Sequence, residues 1–66
     1  MTEHLDWSVR NERTSRQTGF GSNEDIARKA YEGLIEKAKR TGTGGEFSLY
    51  CDGVLVARAY VPAKGD

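Results

Sequence analysis

The residues of this sequence that could carry out chemistry are few and lie far apart. Cys51 is the single cysteine and His4 the single histidine, and neither has a catalytic or metal-ligating residue at a suitable spacing. Cys51 precedes Asp52, whose negative charge raises the pKa of a neighbouring thiol and makes it a poorer nucleophile. We therefore interpret Cys51 as a structural residue and His4 as a solvated terminal residue. The sequence predicts a protein that is not an enzyme and needs no metal or cofactor.

The glycine-rich segment 41–45, TGTGG, invites comparison with a phosphate-binding loop. A phosphate-binding loop leads from a strand into the N-terminus of a helix and carries the pattern G-x-x-x-x-G-K-[ST]. Segment 41–45 instead follows a predicted helix and lacks that pattern. We interpret it as a connection between two elements.

The charged residues permit one hypothesis about nucleic acid. Ten basic and ten acidic residues cancel, whereas phosphate binding usually requires a basic excess. Tyrosines on a sheet could nevertheless stack on the bases of a single strand while arginines contact its phosphates. The arginines of this alternative site are Arg10, Arg13, Arg16 and Arg58. Binding of single-stranded nucleic acid is therefore an alternative function that the net charge does not favour.

One predicted helix, residues 22–42, positions the rest of the chain. Apolar residues recur at spacings of one, three and four between Ile26 and Ala38, and they form one stripe on a helix. Ser22 and Asp25 fit a capping box at the start, and Gly42 is a typical left-handed stop at the end. Gly33 lies inside this helix without an evident reason.

An N-terminal hairpin is predicted before the helix. Residues 5–10 alternate between apolar and polar, with Trp7 as the central apolar residue. A polar turn at 11–15 follows, and the alternation resumes at 16–20 as a second strand. Phe20 then lies just before the helix, and we expect it to pack beside Ile26.

The strongest hairpin signal is in residues 47–61, around the pair Asp52-Gly53. A two-residue turn at that pair would place Arg58 on the same face as the apolar strand residues. A three-residue loop at 51–53 gives a wholly apolar inner face and sets Glu46 near Arg58 on the outer face. We favour the three-residue loop. Its inner face contains Phe47, Leu49, Leu55, Ala57, Ala59 and Val61.

These elements predict an α+β fold of order β-β-α-β-β, with one helix packed on one face of a four-stranded antiparallel sheet. The order 2-1-3-4 keeps every pair of neighbours antiparallel. Residues 1–66 form a single small domain with flexible ends at 1–4 and 62–66. The predicted core is Leu5 or Trp7, Val9, Phe20, Ile26, Ala30, Tyr31, Leu34, Ala38, Phe47, Leu49, Leu55, Ala57, Ala59 and Val61.

The helix covers one face of this sheet and leaves the other open, which suggests a function. An exposed apolar patch edged with charges is typical of protein-binding surfaces, although antiparallel sheets often have one solvated face. A chain of 66 residues is also near the lower size at which one core suffices, so we expect a homodimer. The predicted partner-binding residues are Tyr50, Val54, Val56, Arg58 and Tyr60. The sequence thus predicts a small protein–protein interaction module.

The expected location is the cytoplasm, without contact with a membrane. The longest purely apolar run, residues 54–57, is far too short to span a bilayer. The first residues also lack the apolar core of a signal peptide.

Three short runs suggest a source. WSVRN at 7–11, TGFGS at 18–22 and YCDG at 50–53 resemble those of short uncharacterised proteins from actinobacteria and their phages. The resemblance extends over most of the chain and implies no activity. It implies a small accessory protein, such as a phage product that binds a host protein.

Overall fold

The computed structural model describes residues 5–64, so His4 and its expected solvated state lie outside the described residues. The elements are β1 (Trp7–Asn11), β2 (Arg16–Gly21), α1 (Glu24–Thr41), β3 (Gly45–Cys51) and β4 (Val54–Val61). The four strands form one antiparallel sheet in the order β2-β1-β3-β4, and α1 packs against it. The predicted fold and strand order are therefore confirmed, and β2 and β4 are the two edge strands.

The helix begins one residue later than the capping box predicted. Asn23, not Ser22, is the N-cap, and its side chain accepts from the backbone N–H of Ile26 at 3.5 Å. A turn precedes the helix, in which the N–H of Asn23 donates to the carbonyl of Phe20 at 3.2 Å. Ser22 belongs to this turn, so the cap falls to Asn23, and Asn caps a helix as well as Ser does. The predicted stop at Gly42 is confirmed, with φ of 74°.

The first part of the core lies beneath the N-terminal half of α1. Its buried residues are Trp7, Val9, Ala27 and Leu49, against which Phe20 and Tyr31 pack. Of the two alternatives for β1, Trp7 is the core residue, because Leu5 precedes the strand and is exposed. The Arg28 guanidinium lies 5.5 Å from the centre of the Trp7 ring, a cation–π contact between helix and sheet.

The second part of the core lies beneath the C-terminal half of α1. Ala38, Phe47 and Val61 are buried there, and Leu34 and Ile35 pack against them.

Ile26, in contrast, is exposed, so its predicted place in the core is wrong. It is adjacent to the fully buried Ala27 and so lies about 100° around the helix from the residue that meets the sheet. The sequence prediction did not include Ala27 in the core.

The C-terminal hairpin combines features of both predicted registers. Asp52 and Gly53 form a two-residue turn, with Cys51 opposite Val54 and with φ of 54° and 79°, as a type I′ turn requires. The predicted three-residue loop is therefore wrong. Next along the strands, Tyr50 pairs with Leu55 but Leu49 pairs with Ala57, so Val56 is the extra residue of a β-bulge.

The bulge decides which β4 residues face the helix. Beyond it, Phe47 pairs with Ala59, so the predicted inner positions of Ala57, Ala59 and Val61 are confirmed. Before it, Leu55 lies opposite Tyr50 on the open face and is exposed. The predicted inner position of Leu55 is therefore wrong, because the turn has two residues instead of the three of the favoured loop, and the bulge restores the predicted faces only beyond Val56.

The chain after β4 packs against the loop that follows α1. The N–H of Lys64 donates to the carbonyl of Gly42 at 2.9 Å. A Cβ on Gly44, whose φ is 68°, would lie 2.6 Å from the nitrogen of Ala63 and 2.7 Å from the carbonyl oxygen of Val61. Ala63 and Lys64 thus lie against this loop, and the flexibility predicted for the C-terminal end stays a prediction.

Candidate protein-binding surface

Strand β4 carries an unusual share of the exposed apolar surface. Val54 is 65% exposed, Leu55 44%, Val56 43% and Tyr60 72%. They are four of the six large hydrophobic side chains that are exposed within residues 5–64. Single exposed hydrophobic residues are common, but a cluster on one strand is typical of an interaction site. We call Val54, Leu55, Val56, Arg58 and Tyr60 the β4 surface.

The backbone of β4 is also accessible, because β4 pairs with β3 on one side only. The outer backbone N–H and C=O groups of an edge strand can pair with a further strand. Natural edge strands usually avoid this by being short, charged, bulged or interrupted by proline. Strand β4 has eight residues and one charge, Arg58, and Pro62 follows only after its end. Its bulge at Val56 protects the end next to the turn, and residues 57–61 leave a regular edge that is open to strand addition.

Tyr50, the fifth predicted binding residue, is not free. It is half-buried near the middle of the open face, and its hydroxyl donates to a carboxylate oxygen of Glu12 at 3.2 Å. The hydroxyl of the fully buried Ser48 donates to the same oxygen at 2.9 Å. The hydrogen bond from Ser48 lowers the pKa of Glu12, assisted by the positive charge of Arg10, while partial burial opposes this shift. Glu12 thus ties the β1–β2 turn to the centre of β3.

The two residues next to the turn exchange their predicted faces. Val54 lies opposite Cys51, so it belongs to the face that α1 covers, beyond the reach of the core. Leu55 lies opposite Tyr50 and takes the position on the open face that was predicted for Val54. Sequence reasoning therefore missed Leu55 as a surface residue. The pair Asp52-Gly53 is typical of a two-residue turn, and a prediction based on that turn would have placed Leu55 on the open face.

Arg58 forms the predicted contact with Glu46. Its Nε lies 3.3 Å from the Glu46 carboxylate, and both side chains are more than a third exposed. An ion pair exposed to this extent contributes little to stability. Arg58 also lies next but one to Tyr60 on β4, so a charged and an aromatic side chain share one end of the β4 surface.

The four arginines of the nucleic-acid hypothesis do not converge. Arg10 and Arg58 belong to the open face, and each lies 3.3 Å from a glutamate oxygen. Arg13 instead donates to the carbonyl of Thr43 at 3.0 Å, beyond the C-terminal end of α1. Arg16 pairs with Asn11, which belongs to the helix-covered face. No single basic surface joins these four residues, so their placement does not favour nucleic-acid binding.

Cys51 lies at the end of β3, half-buried against the first part of the core. Burial raises the pKa of its thiol, and the neighbouring Asp52 raises it further. Within residues 5–64, no three His, Cys, Asp or Glu side chains are grouped closely enough to hold a metal ion. The one helix in the same range is too polar to cross a membrane.

Comparisons with protein-family models, with curated proteins and with solved structures gave no match to this chain. The geometry of the β4 surface is therefore the observation from which a function can be argued.

Proposed function

We propose that this chain is a small, non-enzymatic protein-binding module and that the β4 surface contacts its partner. The observation that supports this proposal is the cluster of four exposed hydrophobic side chains on one edge strand. Exposed apolar side chains together with unpaired backbone groups are what a protein partner covers in strand addition.

The fold itself does not require these exposed side chains. The inner face of β4 is supplied by Ala57, Ala59 and Val61, of which Ala57 and Val61 pack into the two parts of the core. Val54, Leu55 and Val56 are outside both parts. Fully burying a valine or leucine side chain contributes about 1.5–3 kcal/mol. Covering this end of the hairpin would thus stabilise a complex without any rearrangement of the core.

The side chains of the β4 surface indicate the kind of partner surface that they fit. On the open face, the exposed side chains of Leu55 and Tyr60 together with Arg58 fit a partner surface that is itself mainly apolar and carries a tyrosine or a carboxylate for Arg58. Val54 lies on the opposite face of the same edge, so a partner strand added there would contact it from the helix side. The resemblance to actinobacterial and phage proteins suggests a host protein in actinobacterial cytosol as the partner of such an accessory protein.

Affinity capture with matched variants tests this function. The tagged chain, Val56→Glu and the control Thr18→Glu are each exposed to actinobacterial cytosol, and the retained proteins are identified by mass spectrometry. Thr18 is an exposed residue of the other edge strand, so the control introduces the same charge away from β4. We expect one protein to be retained by the unmodified chain and by Thr18→Glu and to be lost with Val56→Glu.

The captured protein is then purified and titrated calorimetrically against all three chains. A negative heat-capacity change is expected for the two binding chains, because apolar surface is buried. Urea unfolding of each variant establishes that it is folded. Retention of the protein by Val56→Glu, or an equal loss with Thr18→Glu, would contradict the assignment of binding to β4.

A further inference from the structure

We infer that two copies of this chain pair edge to edge through residues 57–61 of β4, antiparallel, with Ala59 opposite Ala59 of the second copy. The two four-stranded sheets then form one sheet of eight strands. This inference rests on the proposed function, since both assign protein contact to β4, and it names a second copy as a partner.

The structure limits the length of β4 that can pair. The bulge at Val56 interrupts the regular ladder at one end of the strand, and Pro62, which has no backbone N–H, ends it at the other. Residues 57–61 between them are regularly paired with β3 and leave one edge open. The midpoint of this segment is Ala59, so a symmetric antiparallel ladder centred there uses the whole regular segment.

Contacts between arginine and tyrosine favour the same register. With Ala59 opposite its own copy, Arg58 lies opposite Tyr60 of the second copy, and Tyr60 lies opposite Arg58 of the second copy. Each guanidinium then meets an aromatic ring, and Tyr60 is the most exposed large hydrophobic residue among those described. The Glu46 carboxylate stays paired with Arg58 of its own chain, so each arginine keeps its counter-charge when the two strands meet.

Neighbouring registers are worse for identifiable reasons. Centring on Arg58 would place two arginines directly opposite each other, which destabilises a strand pair. Centring on Tyr60 would bring Pro62 opposite Arg58 and remove a backbone donor from the ladder. Centring on Ala57 would draw the Val56 bulge into the ladder. The Ala59 register alone avoids all three.

The pairing has a defined geometry and strength. A two-fold axis perpendicular to the joined sheet places both helices on one face and leaves the open face continuous across the two chains. Five residues from each chain make a contact smaller than a standard protein–protein interface, so we expect a dimer that dissociates on dilution. Residues 54–56 lie outside the ladder and remain accessible to a different protein in the dimer, whereas Arg58 and Tyr60 are then covered by the second copy and are available to that protein in the monomer.

Molar mass measured by light scattering and sedimentation tests the pairing. Over about 10 µM to about 1 mM, we expect the mass to rise from that of the 7.3 kDa chain towards twice that value. Tyr60→Lys places lysine opposite arginine and is expected to weaken dimerisation at least about tenfold. Thr18→Lys on β2 is the matched control and is expected to dimerise normally. Arg58→Glu combined with Tyr60→Lys restores opposite charges and is expected to recover the dimer.

Disulfide trapping tests the register. In a Cys51→Ala background, Ala59→Cys is expected to cross-link two copies under mild oxidation, because directly opposite residues bring their Cβ atoms within reach of a disulfide. Arg58→Cys and Tyr60→Cys are the controls, since neither residue faces its own copy, and they are expected to cross-link far more slowly. Equal cross-linking of all three variants would overturn the register.

These outcomes separate the inference from the proposed function. A chain that stays monomeric at about 1 mM, or a Tyr60→Lys variant that dimerises like the unmodified chain, overturns the self-pairing. The proposed function survives that result if Val56→Glu still abolishes capture of the partner protein. If the chain dimerises as inferred but Val56→Glu does not change which proteins it captures, the self-pairing is supported. The proposed binding of a different protein at β4 is then contradicted.

Discussion

The two edge strands of the sheet each contain one β-bulge, and in each the extra residue is hydrophobic. In β2 the extra residue is Phe20, because Ser8 pairs with Gly19 while Trp7 pairs with Gly21. In β4 it is Val56. Phe20 is half-buried and packs against the core, whereas Val56 is exposed. The same local irregularity completes the core at one edge and displays an apolar side chain at the other.

The remaining residues of β2 are also more polar than those of β4. Strand β2 is RQTGFG, with a charge at its start and two glycines, and it has no exposed large hydrophobic residue. Strand β4 is VLVARAYV, which is longer and almost entirely apolar. Charged and polar side chains on an edge strand disfavour pairing with other chains. Of the two edges, β4 is therefore the one whose side chains oppose strand addition less.

The largest expected difference concerns Gly44, which faces the end of β4, and Gly21, at the end of β2. Gly44→Ala is expected to cost about 3 kcal/mol, because the new Cβ meets the backbone of Val61 and Ala63 and because alanine is strained at positive φ. Gly21→Ala, at the end of β2, has the same backbone strain but open space, so it is expected to cost about 1 kcal/mol. Urea unfolding of both variants measures the difference.

Equal costs for Gly44→Ala and Gly21→Ala would contradict this difference between the two glycines. Ala63 and Lys64 would then not lie against the loop after α1. Gly33→Ala is the control, since its Cβ would meet nothing within 4 Å at an ordinary helical position. It is expected to stabilise the chain by about 0.5–1 kcal/mol.

The second prediction compares the two bulge residues. Phe20→Ala is expected to reduce the free energy of unfolding by about 2 kcal/mol, because it removes a half-buried ring from the first part of the core. Val56→Ala is expected to change it by less than about 0.5 kcal/mol, because the side chain is already exposed. Thermal and urea unfolding check both values. A larger effect for Val56→Ala would show that the end of the hairpin belongs to the core after all.

The sequence was sufficient for the elements and their order, since the helix stripe, the Gly42 stop and the Asp52-Gly53 turn are local signals. It was insufficient wherever one residue shifts a register. The two-residue turn reverses the faces predicted for Val54 and Leu55. The bulge at Val56 then restores the predicted faces from Ala57 onward, and the alternation of apolar and polar residues does not reveal such an inserted residue. The edge position of β4 followed from the strand order, but the hydrogen bonds that occupy Tyr50 depend on Glu12, distant in sequence.

A smaller effect is expected at Gly19 of β2. It has no positive φ and a Cβ there would meet nothing within 4 Å, so Gly19→Ala is expected to stabilise the chain by about 0.5 kcal/mol by reducing the entropy of the unfolded state. The dimer fraction should not change, because β2 takes no part in the inferred pairing. Parallel urea unfolding and light scattering check the two expectations. A gain in dimer fraction would move the pairing edge from β4 to β2.

The smallest expected effect concerns two glutamates on the open face, Glu12 in the β1–β2 turn and Glu46 beside β4. Ser48 and Arg10 lower the pKa of Glu12 in the folded state, so its contribution to stability is complete above its unfolded pKa of about 4.3 and is lost as the pH falls through the lower folded value. Glu12→Gln is therefore expected to be less stable than the unmodified chain near pH 7 and equal to it near pH 2. Glu46→Gln is the matched control and is expected to change the free energy of unfolding at about pH 7 by less than about 0.5 kcal/mol, because its pair with Arg58 is exposed. Urea midpoints of Glu12→Gln and the unmodified chain between about pH 2 and about pH 7 test the first expectation, and a destabilisation of Glu12→Gln that is equally large near pH 2 would contradict the role given to the Glu12 carboxylate.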